Sequence, residues 1–558
     1  MYSYNLPIRP PADLDECSEK FVAIGIDFGT TYSGVSWARS THPKEVHAIY
    51  GWKSEDHRNR NEVQVPTLYD IASGSWGYEI TPDMTPIKWF KLLLLKKEDI
   101  TKEEIQNSAQ LQEARKLLSQ ATNGMTPVRI VGLYLKNIWE HTYAALRSIL
   151  DIENLPLRVA ITIPAIWPAY AQSAMREAAK IAGIMDYREI GETTLILVQE
   201  PEAAALASLF QRNSFPEIQK NESFVVCDAG GGTVDVISYK VVSEEPFKLE
   251  EEWELGAKRS FSATSDQPYN LRPPSKAYGT VARLMNKETL SISKDEMMGF
   301  FNRSLTGIRT LVGEQYKKVQ EATGKPLKKI LLVGGLGSSE YIYEVLNNTE
   351  MFSNKVLRPS DGWSAVARGA VLRLLQENIT SQRIRSPRQQ MALRMLPDVV
   401  SRRSRYHYGI LVNMPISDFT LEPEDKVFTD PEGTKVASRM DWYLKKGDKI
   451  DKKSRIPVTY WQFHRARDPL PPKCTFDILY SAEDIAPKRQ DSEVLSLCHI
   501  ECDWDKPLIE WKFVGDPSKG WKKHDDLALT MGLQGEPKWE IRVGSNKKTH
   551  DFNIEYIS

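Results

Sequence analysis

Two turns about 200 residues apart constrain this chain more than any other feature. The first reads Ile26-Asp27-Phe28-Gly29-Thr30-Thr31-Tyr32-Ser33-Gly34, the second Cys227-Asp228-Ala229-Gly230-Gly231-Gly232-Thr233-Val234-Asp235. Each follows an apolar, β-branched run and places an aspartate at the strand end, ahead of glycine and threonine. Glycine lets the backbone approach a phosphate closely and take positive φ. Its N–H groups, with a threonine hydroxyl, make an anion-binding concavity. An aspartate there can hold Mg2+ through water, because that ion dehydrates reluctantly. A hairpin turn capped by Asp would also account for the first turn alone, but three consecutive glycines exceed what a plain hairpin needs. Two such turns in similar strand contexts imply a duplicated α/β fold closing on nucleotide phosphates from both sides.

From residue 21 to about 382, apolar runs at 21–27, 157–163, 194–199, 223–228 and 329–333 read as buried strands. Helical patterns lie between them at 101–120, 128–150, 169–182, 201–212, 295–323 and 363–378. This alternation argues for α/β architecture with largely parallel sheets. Residues 1–20, with Pro7, Pro10 and Pro11 among acidic residues, read as a flexible tail rather than a signal peptide. Residues 383–400 read as a basic linker carrying Arg383, Arg385, Arg388 and Arg394. Residues 401–558 lose helical periodicity and read as a mostly β domain. Lys and Arg (73) balance Asp and Glu (74), so no net charge argues for nucleic acid or an anionic membrane surface. No apolar run approaches the roughly 20 residues needed to span a bilayer. Five cysteines without a disulfide framework fit a reducing compartment, cytoplasmic or nuclear.

Three further stretches suit the same chemistry. Glu200 stands at a strand end just before a helix opened by Pro201, where a carboxylate can orient water or a metal, or simply complement the helix dipole. Val333-Gly334-Gly335-Leu336-Gly337-Ser338 is a strand leading into a glycine turn, suited to packing a nucleoside against bare backbone. Lys88 and Lys91 offer cations for a terminal phosphate.

In order, the first turn, Ile161-Thr162-Ile163-Pro164-Ala165, Gln199-Glu200-Pro201-Glu202-Ala203-Ala204-Ala205, the second turn and Leu332-Val333-Gly334-Gly335 resemble the nucleotide-binding domain of 70-kDa heat-shock proteins. That domain belongs to the actin/sugar-kinase ATPase superfamily, and the resemblance covers about 21–380. The later Ser401-Arg402-Arg403-Ser404-Arg405-Tyr406-His407-Tyr408-Gly409 resembles the divergent twelfth-type branch, which is expanded in fungi. The resemblance implies a two-lobed, duplicated actin-like ATPase domain followed by a mostly β C-terminal domain. It implies that ATP or ADP binds with Mg2+, the ion being held through water by Asp27 and Asp228. Gly29, Thr30, Thr31, Tyr32, Gly230, Gly231, Gly232 and Thr233 would cradle phosphates. Lys91, with Lys88 as second choice, would position the attacking water, with Glu200, Asp235 and Thr233 completing the catalytic set. Lys258, Arg259, Ser262, Gly334, Gly335, Ser338 and Asp361 would lie near the adenosine, and Pro164 would relay nucleotide state to the second domain. Protein clients or co-chaperones would be the partners.

The chain departs from the family in three places. Between Asp235 and Leu331 it is some 35 residues short by resemblance, so the second lobe is expected to be shortened near 240–255. Ser338 stands where the family has an arginine that stacks on adenine, removing a cation–π contact. The interdomain segment lacks the family's acidic-leucine linker, and residues 555–558 carry neither a helical lid nor an acidic tetrapeptide. The leading expectation is a heat-shock-70-like protein with slow ATP hydrolysis coupled to client or partner binding. The alternatives are a non-catalytic nucleotide-binding or scaffold protein and a small-molecule kinase of the same superfamily.

Overall fold

The computed structural model of the protein describes residues 20–54, 61–97, 99–100, 108–121, 124–165, 167–210, 218–231, 233–244, 247–257, 269–271, 290–292, 294–359, 361–377, 396–451, 455–533 and 537–550. The chain divides into two compact units, one of Met1–Trp167 with Ala174–Val399, the other of Pro168–Ser173 with Val400–Ser558.

The first unit holds two main sheets. The first is built from β1 (Val22–Phe28), β2 (Tyr32–Arg39), β3 (His47–Ala48), β4 (Gln64–Pro66), β5 (Leu157–Ile163) and β6 (Thr194–Gln199). Its order is β3-β2-β1-β5-β6, with β4 against β2. The second contains β7 (Ser223–Ala229), β8 (Val234–Glu244) and β9 (Phe247–Ala257). A separate hairpin pairs β10 (Tyr269–Leu271) with β11 (Leu290–Ile292), and β12 (Lys329–Val333) and β13 (Val356–Leu357) complete the second sheet. Within this unit its order is β13-β12-β7-β8-β9. The five apolar runs thus fold as β1, β5, β6, β7 and β12. The side chains of β1, β5, β7 and β12 are buried almost without alternation, as strands covered on both faces must be, whereas β6, at the sheet edge, is partly exposed.

The sheets are mixed rather than largely parallel. β1–β5–β6 and β7–β12–β13 run parallel, but β1–β2 and β7–β8 are antiparallel. The cause lies in the glycine turns themselves. Each reverses the chain within a few residues, so each is a hairpin turn as well as a candidate phosphate loop.

Among the described residues the α-helices of this unit are α1 (Ala109–Gln120), α2 (Pro127–Arg147), α3 (Ala169–Ile181, this unit holding it from Ala174 on), α4 (Glu200–Phe210), α5 (Lys294–Thr323), α6 (Gly334–Gly337), α7 (Glu340–Asn347) and α8 (Ala365–Glu377). α1 and α2 start at side-chain caps: Ser108 accepts from the Leu111 N–H, and Thr126 from the Arg129 N–H ahead of Pro127. α4 is buried along almost its whole length, because Ala203, Ala204, Ala205 and Ala207 leave it no polar face. It belongs to a core drawn from both sheets, which also takes in Ala23, Ala160, Val198, Phe224, Val226, Leu331 and the α8 residues Ala370, Val371 and Leu374.

Two glycines allow α8 to sit this deep. A Cβ on Gly369 would lie 1.7 Å from the Ala203 carbonyl oxygen of α4, and one on Gly25 would lie 2.4 Å from the Ala367 carbonyl oxygen. Backbone therefore meets backbone where β1, α4 and α8 cross. Glu202 of α4 and Arg373 of α8 form an ion pair at 3.2 Å, with side chains only 2% and 6% exposed.

In the second unit, His407–Pro415, Val427–Thr429, Lys435–Leu444, Cys474–Ser481 and Leu495–Cys502 form one antiparallel sheet. Arg455–Arg465, Lys512–Phe513, Trp521–Leu533, Pro537–Val543 and Asn546–His550 form another. Both contribute to one core, Tyr408, Ile478, Cys498 and Ile500 from the first and Leu529, Trp539 and Ile541 from the second. Cys498, Ile500 and Cys502 share the buried face, while His499 is exposed beside Asp477. Arg383, Arg385, Arg388 and Arg394 of the basic stretch fall outside the described residues. Arg402 and Arg403, by contrast, lie in a strand segment paired with Lys449–Asp451, so ladder hydrogen bonds rather than solvated linker hold that part of the chain.

Removing one partner of a buried ion pair strands the other charge, whereas replacing both with apolar groups is often near neutral. Glu202→Ala is therefore expected to cost about 3–5 kcal/mol in urea unfolding, while the double change Glu202→Leu with Arg373→Leu recovers most of that loss. Equal destabilisation by both variants would show that the pair contributes more than charge compensation.

Candidate functional site

Both glycine turns open onto one narrow cavity of the first unit, of about 70 Å³. From the first turn it is lined by Asp27, Gly29, Thr30, Thr31 and Tyr32, and from the second by Asp228, Gly230, Gly231 and Thr233. Of the other expected residues Lys91, Glu200, Gly334 and Gly335 line it and Asp235 does not, while Gln64, Trp363 and Val366 join them.

Each residue arrives by a short route. Asp27 and Asp228 stand near the ends of β1 and β7. The second turn is closed by the Gly230 N–H donating to the Thr233 carbonyl at 2.9 Å. The first is braced by Thr67, whose N–H donates to the Thr31 carbonyl at 2.8 Å and whose hydroxyl donates to the Gly29 carbonyl at 2.9 Å. The two turns touch, since a Cβ on Gly231 would lie 2.1 Å from the Thr31 hydroxyl oxygen. Gly334 has φ of +86°, and a Cβ there would lie 2.4 Å from the Asp228 carboxylate. Only glycine meets both conditions.

Lys91 is 1% exposed and its ammonium lies 2.6 Å from Glu200 Oε1. It also donates to the Phe28 carbonyl and stands 5.5 Å from the ring centres of Phe28 and Trp167. Lys88 is exposed and does not line the cavity. Asp235 is buried and faces Asp228 across the β7–β8 ladder.

Four carboxylates, those of Asp27, Glu200, Asp228 and Asp235, crowd this region against the Lys91 ammonium. Burial first, then the Glu200 carboxylate, raises Asp27 from 3.8 to about 7, against the opposing effects of Lys91 and the Thr162 hydroxyl, which donates to it at 3.1 Å. Asp228 is likewise pushed well above the ordinary carboxylate range, by burial and then by Glu200, Asp27 and Asp235. Such a set favours protons or an added cation. Among the described residues, no group of three or more His, Cys, Asp or Glu side chains is placed to hold a metal ion directly.

Some residues transferred by resemblance lie elsewhere. Ser338 closes the α6 turn, its hydroxyl donating to the Gly334 carbonyl at 3.0 Å, and is not among the cavity's lining residues. Asp361 pairs with Arg368 at 2.7 Å and does not line it either. Pro164 follows β5, its carbonyl accepting from the Trp167 N–H at 3.2 Å. Gly232, Lys258, Arg259 and Ser262 fall outside the described residues. So does most of 258–293, while the segment expected to be shortened, 240–255, lies along the paired strands β8 and β9. Sequence reading missed Gln64, Trp363, Val366 and the bracing Thr67. Thr162 lay within a recognised motif and could have been singled out by its place on β5 beside β1.

An Hsp70 protein family model matches residues 95–247. The chain is 25% identical over 289 residues to heat shock 70 kDa protein 12A of Mus musculus, covering 41% of this chain and 42% of that protein. It is 27% identical over 287 residues to heat shock 70 kDa protein 12B of Homo sapiens, covering 40% of each. It is 26% identical over 237 residues to a chaperone protein HscA homolog of Acinetobacter baumannii (strain AYE), covering 41% of this chain and 34% of that protein. The chain thus spans less than half the length of these curated relatives.

A carboxyl group raised in the folded state binds its proton more tightly there than in the unfolded chain. Its contribution to stability is complete below the unfolded value near 3.8 and is lost as pH rises through about 7. Ligand-free protein is therefore expected to lose stability, by on the order of a few kcal/mol, between those limits. Asp27→Asn, neutral throughout, should flatten that slope in urea titrations at stepped pH. An unchanged slope would show that Asp27 is not raised.

Proposed function

We propose that this chain, a divergent 70-kDa heat-shock-protein-like protein of the twelfth type, binds ATP at the cavity between its two glycine turns, which must widen from about 70 Å³ to admit a whole nucleotide, and hydrolyses it slowly. The observation that carries this reading is the convergence of both turns, Lys91 and Glu200 on one cavity. The two sheets would then be the lobes of a duplicated actin-like domain. The β-rich second unit would bind a client or partner protein, coupled to nucleotide state.

Phosphoryl transfer to water is mostly positioning and charge neutralisation. The N–H groups of the two turns and the hydroxyls of Thr30, Thr31 and Thr233 would hold the β- and γ-phosphates. Lys91 would orient the attacking water and neutralise charge on the γ-phosphate. Glu200, held 2.6 Å from Lys91, would accept a hydrogen bond from that water, with Asp235 fixing the polar surroundings. Gly334 and Gly335 would leave room for the nucleoside. The oxygen-only donor set of Asp27 and Asp228, two carboxyl groups beside Glu200 whose crowding a cation would relieve, suits hydrated Mg2+. That ion, when bound, would neutralise the phosphates. Among the described residues no helix is long and apolar enough to cross a membrane.

The test measures Mg·ATP affinity and phosphate release by the full chain. Asp27→Ala and Asp228→Ala are expected to weaken Mg·ATP binding at least tenfold. Lys91→Ala and Glu200→Ala are expected to leave binding within a few-fold and to lower phosphate release by roughly 100-fold, the scale of losing one preorganised stabilising group. Binding without turnover in the unaltered protein would favour the non-catalytic alternative. Turnover equal in all five proteins would overturn the assignment of the site.

A further inference from the structure

We infer that Trp363 is the platform on which this protein stacks the nucleobase of its nucleotide, an inference that rests on the reading of the cavity as a nucleotide site. The cavity's lining is of two chemical kinds. Carboxylates, threonines and Lys91 are one, whereas Gly334, Gly335, Val366 and Trp363 bring apolar surface and bare backbone. Gly335 has open space where a Cβ would stand. A Cβ on Gly362, the residue before Trp363, would lie 3.7 Å from the Leu332 carbonyl oxygen and the Val333 Cα at the end of β12. Trp363 therefore follows directly on backbone packed against the strand end that leads into Gly334 and Gly335.

The segment carrying Trp363 is held from both sides. Gly362–Ser364 is a single 3-10 turn leading into α8. On one side the Gln64 amide donates to the Trp363 carbonyl at 3.1 Å, while the Tyr78 hydroxyl donates to the Gln64 carbonyl at 3.1 Å. On the other, Arg368 pairs with Asp361 at 2.7 Å and donates to the Ser364 hydroxyl at 3.2 Å. These bonds fix the backbone of an aromatic residue that is neither buried in the core nor freely exposed. A large π surface, anchored in advance in the lining of a phosphate-type cavity, has the chemistry to receive a flat heterocycle. Ser338, whose hydroxyl is committed to the Gly334 carbonyl, supplies no planar cation there. Stacking accepts any base with a π face and does not depend on edge hydrogen bonds.

The experiment compares binding of ATP and of inorganic tripolyphosphate, each with Mg2+, to the full chain and to Trp363→Ala, Trp363→Phe and Gln64→Ala. Thermal melts check that each variant is folded. Trp363→Ala is expected to weaken ATP about tenfold or more, the effect of losing one base–aromatic stack, and to leave tripolyphosphate unchanged. Trp363→Phe should stay within about threefold of the unaltered protein for ATP. Gln64→Ala, which keeps the indole but frees its backbone, should weaken ATP by less than Trp363→Ala and spare tripolyphosphate. If Trp363→Ala does not fold, the inference stands or falls on this pattern in the other two. Equal losses for both ligands, or no loss for ATP, would overturn the stacking role while leaving the phosphate site intact. Failure of the unaltered protein to bind either ligand would overturn the nucleotide reading itself, and the inference with it.

Discussion

The first unit depends on one close approach, the seating of α8 against β1 and α4. Gly25 and Gly369 remove the side chains that would hold these elements apart. Interiors are packed to crystal-like density, so the approach cannot be relaxed piecemeal. With α8 and α4 in place, one face of each sheet is covered by one continuous core. The Glu202–Arg373 pair inside it adds direction to a contact that apolar packing alone leaves free to slide.

That arrangement brings the ends of several elements to one edge. Asp27 lies near the end of β1, Glu200 follows β6, Asp228 lies near the end of β7 and Gly334 follows β12. The turn before α8 adds Trp363. In open α/β sheets ligands bind outside the carboxyl ends of strands, and this cavity obeys that rule from two sheets at once. The weak acidity of these carboxyls follows from the same geometry. Burial first, and then the Glu200 carboxylate, hold Asp27 and Asp228 above ordinary carboxylates, and Asp27, brought from the other sheet by folding, adds to the effect on Asp228.

What could be read in the sequence was whatever is local. The two glycine turns, the Gln-Glu-Pro run and the glycine step after β12 each carry their residue types within a few positions, and all four line the cavity. The five apolar runs showed where the strands are, because residues covered on both faces leave an unbroken hydrophobic record. Strand direction was misread because hairpin and phosphate loop were weighed as alternatives, whereas each turn joins an antiparallel pair as well as lining the cavity. Gln64 and Trp363 left no local signal, since their meeting spans 299 positions and exists only in the folded chain. Ser338 and Asp361 were placed by analogy with a family, and here one is turned to its own helix carbonyl and the other to Arg368. Lys88 and Lys91 look alike in sequence, and a difference of three positions separates solvent from core.

The contact of Thr31 with Gly231 joins a turn of one sheet to a turn of the other, with only bare backbone on the receiving side. β1 and β7 each run 7 residues back from these turns into the shared core, an arm of roughly 20 Å at about 3.3 Å per residue. Parting the turns by roughly 1 Å thus amounts to about 3° of rotation between the sheets by that arm length. For sheets that turn as rigid bodies about that core, the gap between the two turns and the angle between the sheets are a single coordinate. Whatever wedges the gap sets the angle, and whatever grips the far ends of the sheets sets the gap.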